Sequence, residues 1–283
     1  MIEASLEHIK DFYWSKRAGP RTRFDFGVFA NVVPHGDKYF GTCRAGAASL
    51  DDQVRILEFD SDLNFFSGKD ITKGEDPRTF IYKGEPHAIT WDPSPSPIGS
   101  GNVFYYKVIN LISGNVTVLS IENFSLTAVE VLGKNWMPLV KDDTLYFVIT
   151  IEPQLCILRC DLESGECKWE TPYEMVKDGL EITISRGGTP LIFHKDLDCY
   201  FGLGHRTYDC HNHSAFLYVV SRDLRTSYIG PDIPTSRPSG VSDPLSLFVE
   251  DEKFYCCIAH TPIQMGDTNE VTSALYEVTI SER

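Results

Sequence analysis

Along the chain, apolar positions alternate with polar ones in short runs that break at Asp, Gly, Pro and Ser. A period of two marks half-buried strands, and the breaks are where turns form. Helical periodicity is scarce. It predicts one short helix over residues 2 to 12, inside an N-terminal extension of residues 1 to 20, and a weaker one near 173 to 179.

One unit recurs, a polar turn followed by an aromatic-rich strand. Its copies are GDKYFGTCR (36–44), KGEPHAITW (83–91), KDDTLYFVIT (141–150), KDLDCYFGLGH (195–205) and EDEKFYCCIAH (250–260), at intervals of roughly 47 to 58 residues. A second series follows in step: RILEFDSDL, TVLSIENFSL, CILRCDLESG, FLYVVSRDLR and LYEVTISER. Such a repeat cannot bury both faces alone, so neighbours must stack and the stack must close. The pattern predicts an all-β, five-bladed β-propeller forming a single domain over residues 1–283. A sandwich of hairpins is the structural alternative. The segment DPSPSPIGSG (92–101) reads as a surface loop, since the pattern continues in register beyond it.

The 283 residues are 42% hydrophobic, enough for a large core, and carry a net charge of −14. An acidic surface repels phosphate backbones, and no basic run exceeds Lys16-Arg17, so no nucleic-acid partner is expected. No apolar run approaches the roughly 20 residues of a spanning helix, and no signal peptide is read at the N-terminus. The expected location is cytoplasmic. The eight cysteines include no C-x-x-C and suggest no disulfide framework, so reduced thiols are expected. Sequons at Asn115, Asn123 and Asn212 have no entry signal to make them acceptors.

The loops at one end of a propeller channel converge, so polar residues at equivalent points of successive blades can share one pocket. Four blades carry a proline-terminated polar cluster before their recurring turn. These are FANVVP with Asn31 (then Arg44), GEDPR with Glu75, Asp76 and Arg78, GKNWMP with Lys134 and Asn135, and SRGGTP with Arg186 and Thr189 (then His205). Glycosyl transfer suits such a set. A carboxyl group handles the proton at the accepting or scissile oxygen, cations hold a phosphate, and Asn, Thr and aromatic rings hold a sugar. Asp76 is the proton-handling candidate, and Arg78, Lys134 and Arg186 are the anion ligands.

In order and spacing, Asn31…Arg44, EDPR, KNWMPL and GGTP followed by a strand ending in GH resemble glycoside hydrolase family 130. These are five-bladed β-mannoside phosphorylases and hydrolases, and the sequence also resembles the related β-1,2-mannosyltransferases. The resemblance spans about residues 24 to 260 and implies that Asp76 is the general acid. It also implies that Asn31 and Arg44 contact the sugar, and that Arg78, Lys134 and His205 lie near the phosphate or sugar. Two positions depart from it: Asn31 is followed by Val32-Val33-Pro34, and His260 stands where an acidic residue is usual.

The resulting expectation is a glycosyltransferase that moves a sugar from a nucleotide sugar or sugar phosphate to a glycan acceptor. A β-glycoside phosphorylase or hydrolase is the alternative, and a non-catalytic binding platform is the second. Plain hydrolysis is disfavoured on two grounds. It would not need several cations, and its second carboxylate should stand about 6.5 to 9.5 Å from the first. Glu75 adjoins Asp76, and neighbours on an extended chain point apart. No cofactor is expected. GHRTYDCHNH gathers His205, Cys210, His211 and His213 but matches no standard zinc spacing and reads as a loop, so no metal site is expected either.

Overall fold

The computed structural model describes residues 2–16, 25–46, 52–95, 102–121, 134–152, 154–171, 184–209, 212–235, 240–261 and 270–282. Every regular element among them is a strand.

The N-terminal strand β1 (Ile2–Lys16) is followed by four strands of the first blade: β2 (Val28–His35), β3 (Lys38–Ala45), β4 (Gln53–Phe59) and β5 (Phe65–Lys73). The second blade is β6 (Glu75–Tyr82), β7 (Glu85–Pro95), β8 (Asn102–Asn110) and β9 (Val116–Val118). A short β10 (Ser120–Ile121) then runs onto the outer edge of the third blade, made of β11 (Met137–Lys141), β12 (Thr144–Thr150), β13 (Cys156–Cys160) and β14 (Glu166–Trp169). In the fourth, the inner strand is split into β15 (Ser185–Arg186) and β16 (Ile192–His194). Both pieces pair with β17 (Cys199–Asp209), which is followed by β18 (Asn212–Ser221) and β19 (Ser227–Ile233). The last blade is β20 (Val241–Glu250), β21 (Lys253–Thr261) and β22 (Glu270–Glu282), with β1 as its outer strand. The architecture is the expected five-bladed propeller.

The first residues are therefore a strand, not a helix. β1 pairs antiparallel with β22 from Ile2↔Glu282 to Lys16↔Glu270, so the start of the chain completes the blade formed by its end. A backbone that gains a full ladder of partners outweighs a weak helical pattern. The helix expected near 173–179 lies outside the described residues.

Five buried clusters fill the gaps between neighbouring blades. Val54 and Ile56 meet Ala88 and Ile109; Phe80 and Tyr106 meet Phe147 and Leu158; Met137 and Leu139 meet Phe216 and Tyr218. Phe201 and Leu217 meet Ile258 and Tyr276, and Phe248 and Cys257 meet Val32 and Leu57. Each blade is thus buried only by its neighbours, which is why the ring must close. Four strands bordering the channel run through a proline, Pro34, Pro77, Pro138 and Pro244, and Pro190 stands in the break between β15 and β16. Proline donates no ladder hydrogen bond, so it belongs on an edge strand, and the innermost strand of each blade is an edge.

One expectation about cysteine is corrected. Cys160 and Cys167 face each other across the β13–β14 pair and form a disulfide, while Cys43, Cys156, Cys199, Cys256 and Cys257 are free and buried. Adjacent strands bring the two sulfurs together, which spacing alone does not reveal.

Candidate active site

The hairpins give a common ruler. His35, Tyr82, Lys141, His194 and Glu250 close the inner strands at the turns into the second strands. Six residues before three of these ends stand Phe29, Asp76 and Asn135, with φ of 59°, 46° and 69°. Left-handed backbone is tolerated by Asp and Asn and costs a bulky residue such as Phe roughly 1 kcal/mol. In β6 this kink is a bulge between Glu75 and Arg78. It rotates the chain so that two adjacent carboxylates converge.

That convergence overturns the expectation that Glu75 and Asp76 point apart. Arg44 Nη2 lies 3.2 Å from Glu75 Oε1, and Nη1 lies 3.1 Å from Asp76 Oδ1. Lys134 Nζ lies 2.5 Å from Asp76 Oδ2 and 3.5 Å from Glu75 Oε2. Arg44 also donates from Nε to buried Asp52 at 2.6 Å. Burial alone would raise the pKa of Asp76, but Lys134, Arg44 and Arg78 overcome it and hold the carboxyl far below its usual range. For Glu75 burial prevails over the same two cations, helped by repulsion from Asp76, and its pKa is raised. Two neighbouring carboxyls with oppositely shifted acidities are the arrangement that assigns one to accept a proton and the other to donate it. Their side chains are 12% and 14% exposed, so both remain reachable.

Beside them is a small pocket lined by Asp76, Arg78, Thr90, Trp91, Asn135 and Trp136, with a volume of about 10 Å³. That is close to the space of a single water. Tyr106 stacks on Trp136 at 3.5 Å, and Lys134 Nζ sits 5.7 Å over the Trp91 ring.

The other expected residues divide between this site and the frame. Arg78 is buried and donates to Asn135 Oδ1 at 2.8 Å and to the Pro244 carbonyl at 3.0 Å, tying blades two, three and five at the axis. Asn31 is fully buried. Its amide nitrogen donates to the carbonyls of Phe29, Thr42 and Pro77, and its oxygen accepts from Thr79 N, so it clamps blade one to blade two. Every polar atom of its side chain is spent on protein, which corrects its assignment to the sugar. Thr189 is likewise a frame residue. Its hydroxyl donates to the Pro190 carbonyl and accepts from Leu203 N. The preceding Gly187 is required by space, because a Cβ there would run into the Asn135 carbonyl. Arg186 pairs with His205 across β15 and β17. His260 is a core residue, bonded to Ser242 Oγ and Tyr276 Oη at 3.1 and 2.8 Å.

His205 is 2% exposed, and burial, partly offset by Asp243, lowers its pKa to about 4. Asp243 is the acid that sequence reading missed, with His213 its 2.8 Å partner. Burial would raise its pKa, yet His205, His213 and Arg78 bring it down to about 2. The hairpin ruler could have found it. Asp243 lies seven residues before Glu250, as Glu75 lies before Tyr82 and Lys134 before Lys141. Asp52 gives no such signal, since it reaches Arg44 of β3 from the residue just before the next strand, β4.

No family model matches the chain, and no curated protein is similar to it in sequence. Solved structures are similar in fold. An exo-β-1,3-galactanase from Phanerochaete chrysosporium superposes with a TM-score of 0.62 at 11% identity, covering 89% of this chain and 60% of its own. A xylan β-1,4-xylosidase from Bacillus halodurans gives 0.54 at 14% identity, covering 93% and 54%. A thermostable family-43 glycoside hydrolase gives 0.56 at 12% identity, covering 90% and 93%. The chain thus spans little more than half the length of the first two. These are family-43-type enzymes rather than family-130 ones, and the likeness is one of fold. The expectation of a glycosyltransferase using a nucleotide sugar is overturned. The similar folds are those of glycoside hydrolases, and two of the three cations meant for a phosphate are occupied: Lys134 by carboxylates, Arg78 by Asn135 and Pro244. The chain has the five-bladed propeller fold found in glycoside hydrolases.

Proposed function

We propose that this protein hydrolyses glycosidic bonds, with Asp76 and Glu75 as its working carboxyl pair. The observation that carries the reading is a pair of adjacent, reachable carboxyls held side by side by the same two cations, Arg44 and Lys134. Asp76, kept ionised by Lys134 and Arg44, accepts the proton of an attacking water, for which the adjoining pocket has room. Glu75, with its raised pKa, gives a proton to the leaving oxygen. The argument from free cations falls, because Arg44 and Lys134 are neutralised by carboxylates.

The test is turnover of a panel of aryl glycosides, including xylosides, arabinosides, galactosides and mannosides, with and without inorganic phosphate. Asp76→Asn should lose activity on every substrate. Glu75→Gln should lose it on substrates with poor leaving groups yet keep it on dinitrophenyl glycosides, whose leaving group needs no proton. A requirement for phosphate would convert the reading to phosphorolysis, and full activity in Asp76→Asn would remove that residue from the reaction.

A further inference from the structure

The corner of the channel between blades four and five holds a second cluster that the Asp76 chemistry does not use. His205 comes from β17, His213 from the adjacent β18, and Asp243 from β20. His213 Nδ1 lies 2.8 Å and His205 Nδ1 3.9 Å from the same oxygen, Asp243 Oδ1. One ligand atom from each residue falls within 4.8 Å of the others. The two imidazoles are near parallel, at 22° and 5.2 Å between ring centres. The stretch read from sequence as a loop is a tight two-stranded hairpin that delivers both rings to one side; Cys210 and His211 lie outside the described residues.

Two observations show that protein contacts leave this cluster incomplete. His205 Nδ1 is buried with no hydrogen-bond partner, aimed at a carboxylate that it does not reach. Asp243 also makes no ion pair with Lys or Arg among the described residues, whereas Asp52, Glu75 and Asp76 all do. A buried nitrogen lone pair beside a buried carboxylate is a place for a positive centre.

We propose that His205, His213 and Asp243 bind one divalent first-row transition ion of the zinc class. Ligands about 2.1 Å from such an ion, at a tetrahedral angle, stand about 3.4 Å apart, and the observed 2.8 and 3.9 Å bracket that value. Two imidazoles and one carboxylate favour zinc, cobalt or iron(II) over calcium or magnesium, which take oxygen ligands. Three protein ligands leave a position open for water. Arg78 and Arg186, within electrostatic reach of His205, oppose a cation and moderate the affinity. The ion would fasten the hairpin of blade four to the inner strand of blade five. There the backbones of the two blades pair at His213↔Val241. This inference is independent of the hydrolytic reading of Asp76.

The experiment uses the full chain, stripped with chelator and titrated with Zn²⁺, Co²⁺ and Ca²⁺ by calorimetry, with cobalt absorption read in parallel. The expected result is about one Zn²⁺ per chain, a visible cobalt band of a low-coordinate nitrogen and oxygen site, and a raised thermal midpoint on adding metal. His213→Ala and Asp243→Asn should each weaken Zn²⁺ binding by about 100-fold, while His8→Ala, on exposed β1, leaves it unchanged. Should those two variants fail to fold, His205→Gln and the wild-type cobalt spectrum decide. Substoichiometric zinc uptake, preference for Ca²⁺, or full affinity in a folded variant would overturn the proposal.

Discussion

The inner strands line both ends of one channel, and the two ends are chemically opposite. Where these strands begin, Arg44, Asp52, Glu75, Asp76 and Lys134 form a paired charge network. Where they turn back, Pro34, Phe80, Pro138, Leu191, Leu247 and Phe248 surround an apolar pit of about 330 Å³. The apolar end needs only surface taken from water. The charged end must match every buried charge to a partner, because an unmatched one is costly in a low-dielectric setting. The apolar end therefore tolerates any well-shaped hydrophobe, whereas the charged end tolerates few changes, and its left-handed kinks are the means of matching. Position along the strand decides which rule applies.

Removing the shared acid should break this contrast most sharply. Asp76→Asn is expected to lower kcat/KM by about 10²- to 10⁴-fold, the usual contribution of a general base, measured on the responsive glycoside. Far-ultraviolet circular dichroism should remain that of a folded β protein.

The opposite end should fail in stability instead. Phe80 is 1% exposed and packs against Phe147 across the second and third blades. Phe80→Ala should cost about 3 to 5 kcal/mol in chemical denaturation, with the Asp76 chemistry of the remaining folded protein retained.

Acidity separates the two carboxyls of the charged end. Activity should fall as the pH rises through the raised pKa of Glu75, because its proton is the one donated, and Glu75→Gln should abolish that limb. Stability should respond with opposite signs. Asp76, with its lowered folded pKa, contributes fully above the ordinary value of 3.8, and that contribution is lost progressively as the pH falls below it. Glu75, with its raised folded pKa, makes the protein less stable as the pH rises from 4.5 through the raised value. Denaturant titrations in Asp76→Asn and Glu75→Gln backgrounds would assign each limb.

The smallest effect is expected at the rim of the apolar pit. Val249 is 45% exposed, and Val249→Thr should change stability by no more than about 0.5 kcal/mol. A larger loss would mean that the pit is covered in solution.

What was legible from residues alone follows the same division. The recurrence of EDEKFYCCIAH-like units was visible because blade geometry repeats locally, within one hairpin. Arg44, Glu75, Asp76 and Lys134 were visible because each sits at a repeated place in its unit. Asn31 and Thr189 had the right places as well, but a polar side chain at such a point serves either a ligand or the frame. Their hydrogen bonds to the Pro77 carbonyl and Leu203 N decide for the frame.

By itself, then, the sequence determined the number of blades and the polar character of one channel end, since both are written in periods of two and about fifty residues. Only the tertiary structure decided that residues 2–16 are a strand, that Glu75 and Asp76 converge, that Cys160 meets Cys167, and that His205, His213 and Asp243 share a corner. The reason is physical. β1 finds its partner only when the ring closes, and a single left-handed residue reverses which way its neighbours face. Groups brought together by closure, from blades far apart in the chain, leave no local trace in the order of residues.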